Sequence, residues 1–139
     1  MFLLRLVALA FGVTALAASA VEAQDSKMKF ELYKDKAGEF RWRLKAGNGA
    51  TLATGGQGYK AKADAKNGID LVMQSGTESK LKYDVYEDDK KEHRWRLKAG
   101  NGQVVASSSE SYKAKADAEK AVESIKANAA KAEVVEIKE

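Results

Sequence analysis

Residues 41–49 read Arg-Trp-Arg-Leu-Lys-Ala-Gly-Asn-Gly, and residues 94–102 repeat them letter for letter. The two copies are offset by 53 residues. A second block, Tyr59–Ala65, matches Tyr112–Ala118 at the same offset, so no gap is needed between the blocks. A tandem repeat of this kind indicates that the chain folds as two copies of one supersecondary unit.

Alternation of apolar and charged residues predicts three strands in each copy. In the first copy they cover residues 29–34, 40–46 and about 50–54, with a turn at Asp35–Gly38 between the first two. In the middle strand the apolar residues point to one face, namely Phe40, Trp42, Leu44 and Ala46. The basic residues point to the other face, namely Arg41, Arg43 and Lys45. One face of the predicted sheet is therefore apolar and the opposite face is basic.

The Asn-Gly pair at residues 48–49 predicts a hairpin between the second and third strands. A two-residue loop would place Leu44 opposite Ala53, whereas a three-residue loop at residues 47–49 places Leu44 opposite Leu52. The longer loop keeps the large apolar residues on one face and puts the last glycine in the left-handed region. We therefore interpret the Gly-Asn-Gly sequence as the residues that the hairpin turn requires. A phosphate-binding loop is the alternative, but no helix directly follows the glycines.

A helix follows the third strand in each copy, after a short flexible loop. Apolar residues at helical spacing predict helices that begin near Ala61 and Ala114 and end near Gln74 and Ala130. Asp64 and Asp117 lie in the first turns, where a negative charge suits the helix dipole.

The chain closes on an alternating stretch at residues 133–138, which the offset of 53 places on residues 80–85. We therefore predict that residues 80–86 form one long central strand shared by both repeats. Repeat 1 then covers residues 24–79 and repeat 2 covers residues 80–139, both within one globular domain. Each unit is predicted to have the order β-β-β-α-β, in an α+β fold with the two helices on one face of the sheet.

The N-terminal residues have the pattern of a secretory signal peptide. Residues 1–5 carry one positive charge, residues 6–20 are apolar, and residues 21–23 place small side chains at the −3 and −1 positions. We expect cleavage between Ala23 and Gln24. A cut after Ala20 and an uncleaved anchor helix are the alternatives, although about 20 apolar residues are usually needed to span a bilayer. The mature protein is thus predicted to be exported, periplasmic or secreted, and without a membrane span.

The composition excludes several classes of site. The chain has no cysteine, so it has neither a disulfide framework nor a thiol nucleophile. The formal net charge of +4 is a mild excess, which favours weak attraction to anionic surfaces. It does not by itself indicate a nucleic-acid partner, and we do not expect one. No cofactor is expected either.

The candidates for catalysis and metal binding are weak. His93 is the single histidine, and the offset matches it with Phe40, so it is interpreted as a hairpin residue. The hydroxyls at residues 107–111 have no base at a meaningful spacing. Asp88-Asp89 and Glu92 could hold a cation but lack the spacing of a calcium loop. We therefore predict no catalytic residue and no metal ligand, and we do not expect an enzyme.

Two sets of residues remain for ligand binding. Trp42 and Trp95 share the parity of the core leucines, so packing is the default interpretation and a stacking platform the alternative. The second set lies on the opposite, basic face and consists of Tyr33, Arg41, Arg43, Lys45, Tyr86, Arg94, Arg96 and Lys98. Arginine forks suit phosphate and carboxylate. The competing interpretation is a solvated face whose arginines pair with Glu31, Glu39, Asp84 and Glu92.

The sequence resembles the YegP-like family of small bacterial proteins. The resemblance is carried by Phe-Glu-Leu-Tyr-Lys-Asp at residues 30–35, the Trp-centred strand with Leu-Lys-Ala-Gly-Asn-Gly, and Tyr-Lys-Ala-Lys-Ala-Asp-Ala at the helix start. It covers residues 29–138, in both repeats. It implies a single antiparallel sheet built from both repeats, with their closing strands exchanged. The family brings no established activity, and this chain departs from it by its signal peptide.

From these observations we expect an exported, non-enzymatic binding or interaction module. The partner is unknown; it could be an anionic envelope polymer bound by the basic face, or a protein. The alternative is a structural or assembly protein that acts by strand pairing or self-association at the ends of the sheet. The chain is expected to be a monomer in which the two repeats form a pseudo-dimer.

Overall fold

The computed structural model describes residues 27–138, which form seven strands and two helices. The elements are β1 (Lys29–Lys34), β2 (Phe40–Lys45), β3 (Thr51–Gly55), α1 (Lys62–Gln74), β4 (Lys82–Glu87), β5 (His93–Lys98), β6 (Val104–Ser108), α2 (Lys115–Asn128) and β7 (Glu133–Glu136). One turn of 3₁₀ helix, Ala129–Lys131, joins α2 to β7. The predicted α+β fold with tandem β-β-β-α-β units is confirmed. The predicted signal peptide lies outside the described residues.

All seven strands form one sheet in the order β4-β5-β6-β3-β2-β1-β7. The closing strand of the second repeat thus lies beside the opening strand of the first, which is one half of the predicted exchange. Two details of the prediction are wrong. The sheet is mixed, because β7 runs parallel to β1 while the other pairs are antiparallel. The strand predicted at the centre, β4, lies at an edge and pairs only with β5.

The two repeats meet where β3 pairs with β6. Thr54 is the register partner of Ser107, and these two residues are also equivalent under the offset of 53. The neighbouring pairs are Ala53 with Ser108 and Gly55 with Ala106. A local twofold axis therefore passes through the Thr54–Ser107 pair and exchanges β1 with β4, β2 with β5, and β3 with β6.

The core lies between the sheet and the two helices, on the face that the alternation predicted. Trp42 and Trp95 are at most 1% exposed, so packing is confirmed for both tryptophans. A Cβ atom at Gly55 would lie 2.7 Å from Nε1 of Trp42, and one at Gly68 would lie 2.9 Å from it. Both glycines therefore let the indole pack against backbone, which is a reason for their place in a strand and in a helix.

The hairpin between β2 and β3 keeps the predicted three-residue loop, and Gly49 has φ +90°. The predicted pairing of Leu44 with Leu52 is wrong. A bulge shifts the register beyond Lys45, so that Leu44 faces Ala53 and Lys45 faces Thr51. An extra residue in one strand is left unpaired in such a bulge. Here it is Leu52, which is only partly buried, whereas Ala53 is fully buried.

The turn between β1 and β2 is built from Asp35 and Gly38. The Asp35 carboxylate accepts hydrogen bonds from the backbone N–H groups of Ala37 and Glu39, each at 2.9 Å. Gly38 has φ +86°, and its equivalent in the second repeat is Lys91 with φ +66°. A residue with a Cβ is strained in this region by about 1–2 kcal/mol. The second repeat thus holds a lysine where the backbone favours glycine.

We predict that Lys91→Gly raises the free energy of unfolding by about 0.5–1 kcal/mol, because relief of the strain exceeds the entropy that glycine loses on folding. The midpoint of thermal unfolding should rise by about 2–4 °C. Gly38→Lys is the matched control and should lower the midpoint. A lower midpoint for Lys91→Gly would contradict the strain at this turn.

Candidate functional site

The outer face of the sheet, which points away from the helices, carries all eight residues predicted as a binding set. They fall into two clusters related by the local twofold axis. The β1–β2 cluster contains Tyr33, Arg41, Arg43 and Lys45, and the β4–β5 cluster contains Tyr86, Arg94, Arg96 and Lys98. Three strand spacings separate β2 from β5, about 14 Å. The small side chains of Thr54 and Ser107 lie between the clusters.

Each of the four arginines forms an ion pair with an acidic residue of its own repeat. The pairs are Arg41 Nε–Asp35 Oδ2 at 2.6 Å, Arg43 Nε–Glu31 Oε1 at 2.7 Å, Arg94 Nε–Asp88 Oδ2 at 3.0 Å and Arg96 Nη2–Asp84 Oδ2 at 2.9 Å. The expected partners Glu31 and Asp84 are found. Asp35 and Asp88 take the places expected for Glu39 and Glu92, because these turn aspartates hold one oxygen toward the neighbouring strand.

Tyrosine rings support one arginine in each cluster. The guanidinium of Arg43 lies 4.6 Å from the ring centre of Tyr33, and that of Arg96 lies 4.3 Å from the ring centre of Tyr86. Stacking on an aromatic face and pairing with a carboxylate both restrict the arginine side chain. The guanidinium groups of Arg43 and Arg96 are therefore each restricted by an aromatic ring and by a carboxylate.

The turn aspartates bind backbone and arginine at once. The hydrogen bond from Arg41, and then that from the backbone of Glu39, hold the pKa of Asp35 below its ordinary value. For Asp88 the backbone hydrogen bond from Glu92 contributes most to the lowered pKa, followed by that from Arg94. Sequence reasoning missed this role, although the aspartates recur at the offset of 53 just before each turn.

Glu31 and Asp84 occupy equivalent positions but have different surroundings. The side chain of Glu31 is 10% exposed and that of Asp84 is 44% exposed, because β7 covers β1 and no described strand covers β4. Burial alone would raise the pKa of Glu31, but the hydrogen bond and charge of Arg43, with the charges of Lys45 and Lys29, lower it overall. Glu31 is thus a nearly buried, charged partner of Arg43.

The outer face keeps an excess of positive charge after these pairings. Eight basic side chains lie at its strand positions against three acidic ones. The basic residues are Lys29, Arg41, Arg43, Lys45, Lys82, Arg94, Arg96 and Lys98, and the acidic residues are Glu31, Asp84 and Glu133. The turns beside the arginines add Asp35 and Glu39 and their equivalents Asp88 and Glu92, which offset most of this excess. The remaining excess is what a polyanion would meet.

The other sequence candidates are used by the fold. The backbone of His93 bridges to Tyr112, as that of Phe40 bridges to Tyr59 in the first repeat. The side chain of Glu92 accepts a hydrogen bond from Ser111, and Asp88 shapes its turn. Within residues 27–138 no group of three or more acidic, histidine or cysteine residues could hold a metal ion. The helices described here include none long and apolar enough to cross a bilayer.

Comparison with known proteins places both repeats in the same group. A family model described as a domain of unknown function, DUF1508, matches residues 35–82 and again residues 88–136. The chain is 42% identical over 108 residues to the UPF0339 protein in the ptx operon 5′ region of Stutzerimonas stutzeri, which covers 78% of this chain and 95% of that protein. A UPF0339 protein of Neisseria meningitidis serogroup B matches over 55 residues, 96% of its own length, with 42% identity.

Two solved structures are similar to this one. The UPF0339 protein SO3888 from Shewanella oneidensis has a TM-score of 0.70 at 27% identity and covers 81% of this chain and 92% of that one. The protein of unknown function YegP from E. coli has a TM-score of 0.70 at 33% identity and covers 81% of this chain and 94% of that one. The names of these relatives state no activity.

We predict that Glu31→Gln lowers the free energy of unfolding at pH 7 by about 1–2 kcal/mol, because it removes the charged partner of a half-buried arginine. Asp84→Asn is the matched control and should cost less than about 0.5 kcal/mol, since its pair is exposed. Urea unfolding at neutral pH measures both.

The effect of Glu31→Gln should also depend on pH. The pKa of Glu31 is lowered in the folded state from an ordinary value of 4.5, so its charge stabilises the fold above that pH. This stabilisation is lost as the pH falls through the folded-state pKa. The unfolding curves of the variant and the parent should converge in acid. A difference that stays constant from pH 7 to pH 3 would contradict this assignment.

Proposed function

The chain belongs to the YegP-like family, whose repeat is the domain of unknown function DUF1508, and from its own surface we propose that it is an exported, non-enzymatic binding module for anionic polymers. The outer sheet face would be the contact surface. The observation that carries the proposal is the pair of arginine–tyrosine clusters, repeated about 14 Å apart on a face whose strand positions hold eight basic and three acidic side chains. A repeated ligand, such as a polymer of acidic units, would match a repeated site.

The arginines retain donors for such a ligand. A guanidinium has five N–H donors, and the contact of Arg41 or Arg94 with its aspartate uses the one on Nε. Their side chains are 43% and 37% exposed. The terminal N–H groups could therefore bind a phosphate or carboxylate while the existing pair is kept. Arg43 and Arg96, which already stack on tyrosine rings, would lose less side-chain entropy when a ligand binds.

The acidic residues on the same face set the expected strength. Because carboxylates of the strands and turns lie among the eight basic groups, the net attraction is that of far fewer than eight charges. Such a surface would bind weakly, with an affinity that falls as salt is added. The proposed ligand is therefore an abundant polymer, for which many weak contacts along one molecule add up.

Export and the absence of catalysis are parts of the same proposal. Residues 1–23 have the three regions of a signal peptide, which supports a place outside the cytoplasm, where acidic polysaccharides and lipopolysaccharide are met. The position of His93 is taken by Phe40 in the first repeat, which supports a structural role for the imidazole. A module that only binds is consistent with both observations.

We predict that replacing Arg41, Arg43, Arg94 and Arg96 together by Gln weakens binding to an acidic polysaccharide at least about tenfold at low salt and flattens its salt dependence. The matched control replaces four exposed lysines off this face, Lys60, Lys66, Lys113 and Lys120, by Gln. It changes the net charge equally and should bind nearly as the parent does. Isothermal titration over a range of salt concentrations measures both variants.

Replacing the arginines leaves their carboxylate partners unpaired and could prevent folding. A milder variant therefore keeps the proposal testable. Lys45→Gln with Lys98→Gln removes one charge from each cluster and should still reduce binding about threefold. Equal affinities for the parent, the arginine variant and the lysine control would overturn the proposed contact face. Equal losses in the arginine variant and in the control would show attraction to net charge alone.

A further inference from the structure

The two ends of the sheet differ in a way that the local twofold axis does not explain. At one end β7 lies beside β1 in parallel. At the other end the axis generates an equivalent position beside β4, and no strand among residues 27–138 occupies it. The reason lies in the chain, since the offset places the equivalent of β7 on residues 80–83, which lead directly into β4 and supply its first two residues. The first repeat therefore has no separate closing strand.

The open end leaves apolar residues only partly covered. Phe30 and Leu32 of β1 are 0% and 1% exposed. Their equivalents in β4, Tyr83 and Val85, are only partly buried. A groove of about 500 Å³ follows this edge, and its lining includes Tyr83, Val85 and Val122 of α2. An edge with unpaired backbone groups, beside a groove lined by both apolar and polar residues, is suited to strand addition.

The backbone of β4 presents the same groups that β1 uses to hold β7. The carbonyl of Leu32 accepts a hydrogen bond from the N–H of Ile137 at 2.8 Å, so this residue directs its backbone groups toward β7. The equivalent residue is Val85, and the register of β4 with β5 is the register of β1 with β2. Alternate residues of a strand point to the same side, so Tyr83, Val85 and Glu87 direct their N–H and C=O groups to the open edge.

Basic side chains at this edge define the chemistry of a partner strand. Glu133, the first residue of β7, is the register partner of Lys29, whose equivalent at the open edge is Lys82. Glu136, the fourth residue, pairs with Lys62 at 2.6 Å, and the equivalent of Lys62 is Lys115. Within the described part of the chain neither Lys82 nor Lys115 forms an ion pair.

One residue that differs between the repeats affects the fourth position of an incoming strand. Lys66 adds to the positive charge that lowers the pKa of Glu136. Its equivalent is Glu119, which would repel an acid placed there. We therefore expect higher affinity for an incoming strand that has an acidic residue at its first position and aliphatic residues at its second and third, as in β7. At the fourth position a neutral amide should give a higher affinity than an acid.

We propose that the open edge of β4 binds an extended segment of another protein as a parallel eighth strand, with an acidic residue followed by two aliphatic residues and a neutral polar one. Lys82 faces the acid, and the groove between β4 and α2 takes an aliphatic side chain. The site is distinct from the outer face, because it uses the backbone edge of the sheet. A second copy of this chain is a poorer occupant, since its own β7 is already paired with β1.

The test is an amide chemical-shift titration of the purified protein with two capped peptides. One peptide is Glu-Val-Val-Glu-Ile-Lys, the sequence of residues 133–138, and the other has Gln at its fourth position. We expect saturable shifts in β4, largest at Tyr83, Val85 and Glu87, and binding of the Gln peptide about two- to fivefold tighter. Shifts confined to β1, or none in β4 up to the solubility limit of the peptides, would overturn the proposal.

Three variants distinguish strand addition from general adhesion. Val85→Pro removes a donor from the open edge without removing a bond to β5, and should abolish the shifts. Lys82→Glu should weaken binding of both peptides about three- to tenfold and remains informative if the proline variant does not fold. Lys60→Glu is the matched charge control, and weakening equal to that of Lys82→Glu would overturn the role of Lys82. Concentration-dependent shifts in β4 without peptide would assign the edge to a second copy and overturn a separate partner.

Discussion

The pairing of β3 with β6 is the contact on which the rest of the structure depends. It joins the two hairpins edge to edge at Thr54 and Ser107, and so makes one sheet from two repeats. A single repeat would offer only three strands and one helix, which bury little apolar surface. Joined through this pair, the two repeats share one core in which both tryptophans are covered. The same pairing fixes the distance between the two arginine clusters and the identity of the two outer strands.

The repeat made most of this fold predictable. Alternation and helical spacing gave the order of the elements, and parity alone assigned the arginines to one face and the tryptophans to the other. The features of the fold that could not be predicted depend on contacts that a repeat makes with the other repeat or with the helices. The bulge at Leu52 changes a register that looked favourable for the leucines, and it places the small, fully buried Ala53 opposite Leu44. β4 lies at an edge because the first repeat has no separate closing strand to pair with it. The sequence did not reveal this, because the offset of 53 places the equivalent of β7 on residues 80–83, at the start of β4 itself.

The candidate site was predictable in its residues and less so in its chemistry. All eight predicted side chains lie on the outer face, but the acids that pair with them come partly from turns, whose geometry sequence alternation does not specify. Equivalent pairs also differ in exposure, because Glu31 lies beside the strand covered by β7 and Asp84 lies on the uncovered strand β4. Two copies of one sequence motif therefore do not make two equal sites. The surroundings, set by topology, decide how strongly each carboxylate competes with a ligand for its arginine.

The parallel pairing of β7 with β1 ties the first strand of the sheet to the last one made. During synthesis from the N-terminus, β1, β2 and β3 emerge long before residues 133–136. Until then Phe30 and Leu32 lack the cover that makes them fully buried, and the first repeat cannot reach its final packing alone. Long-range pairing of this kind slows folding and keeps the chain open longer. Release of residues 133–136 is thus the event that lets the first repeat reach its final packing.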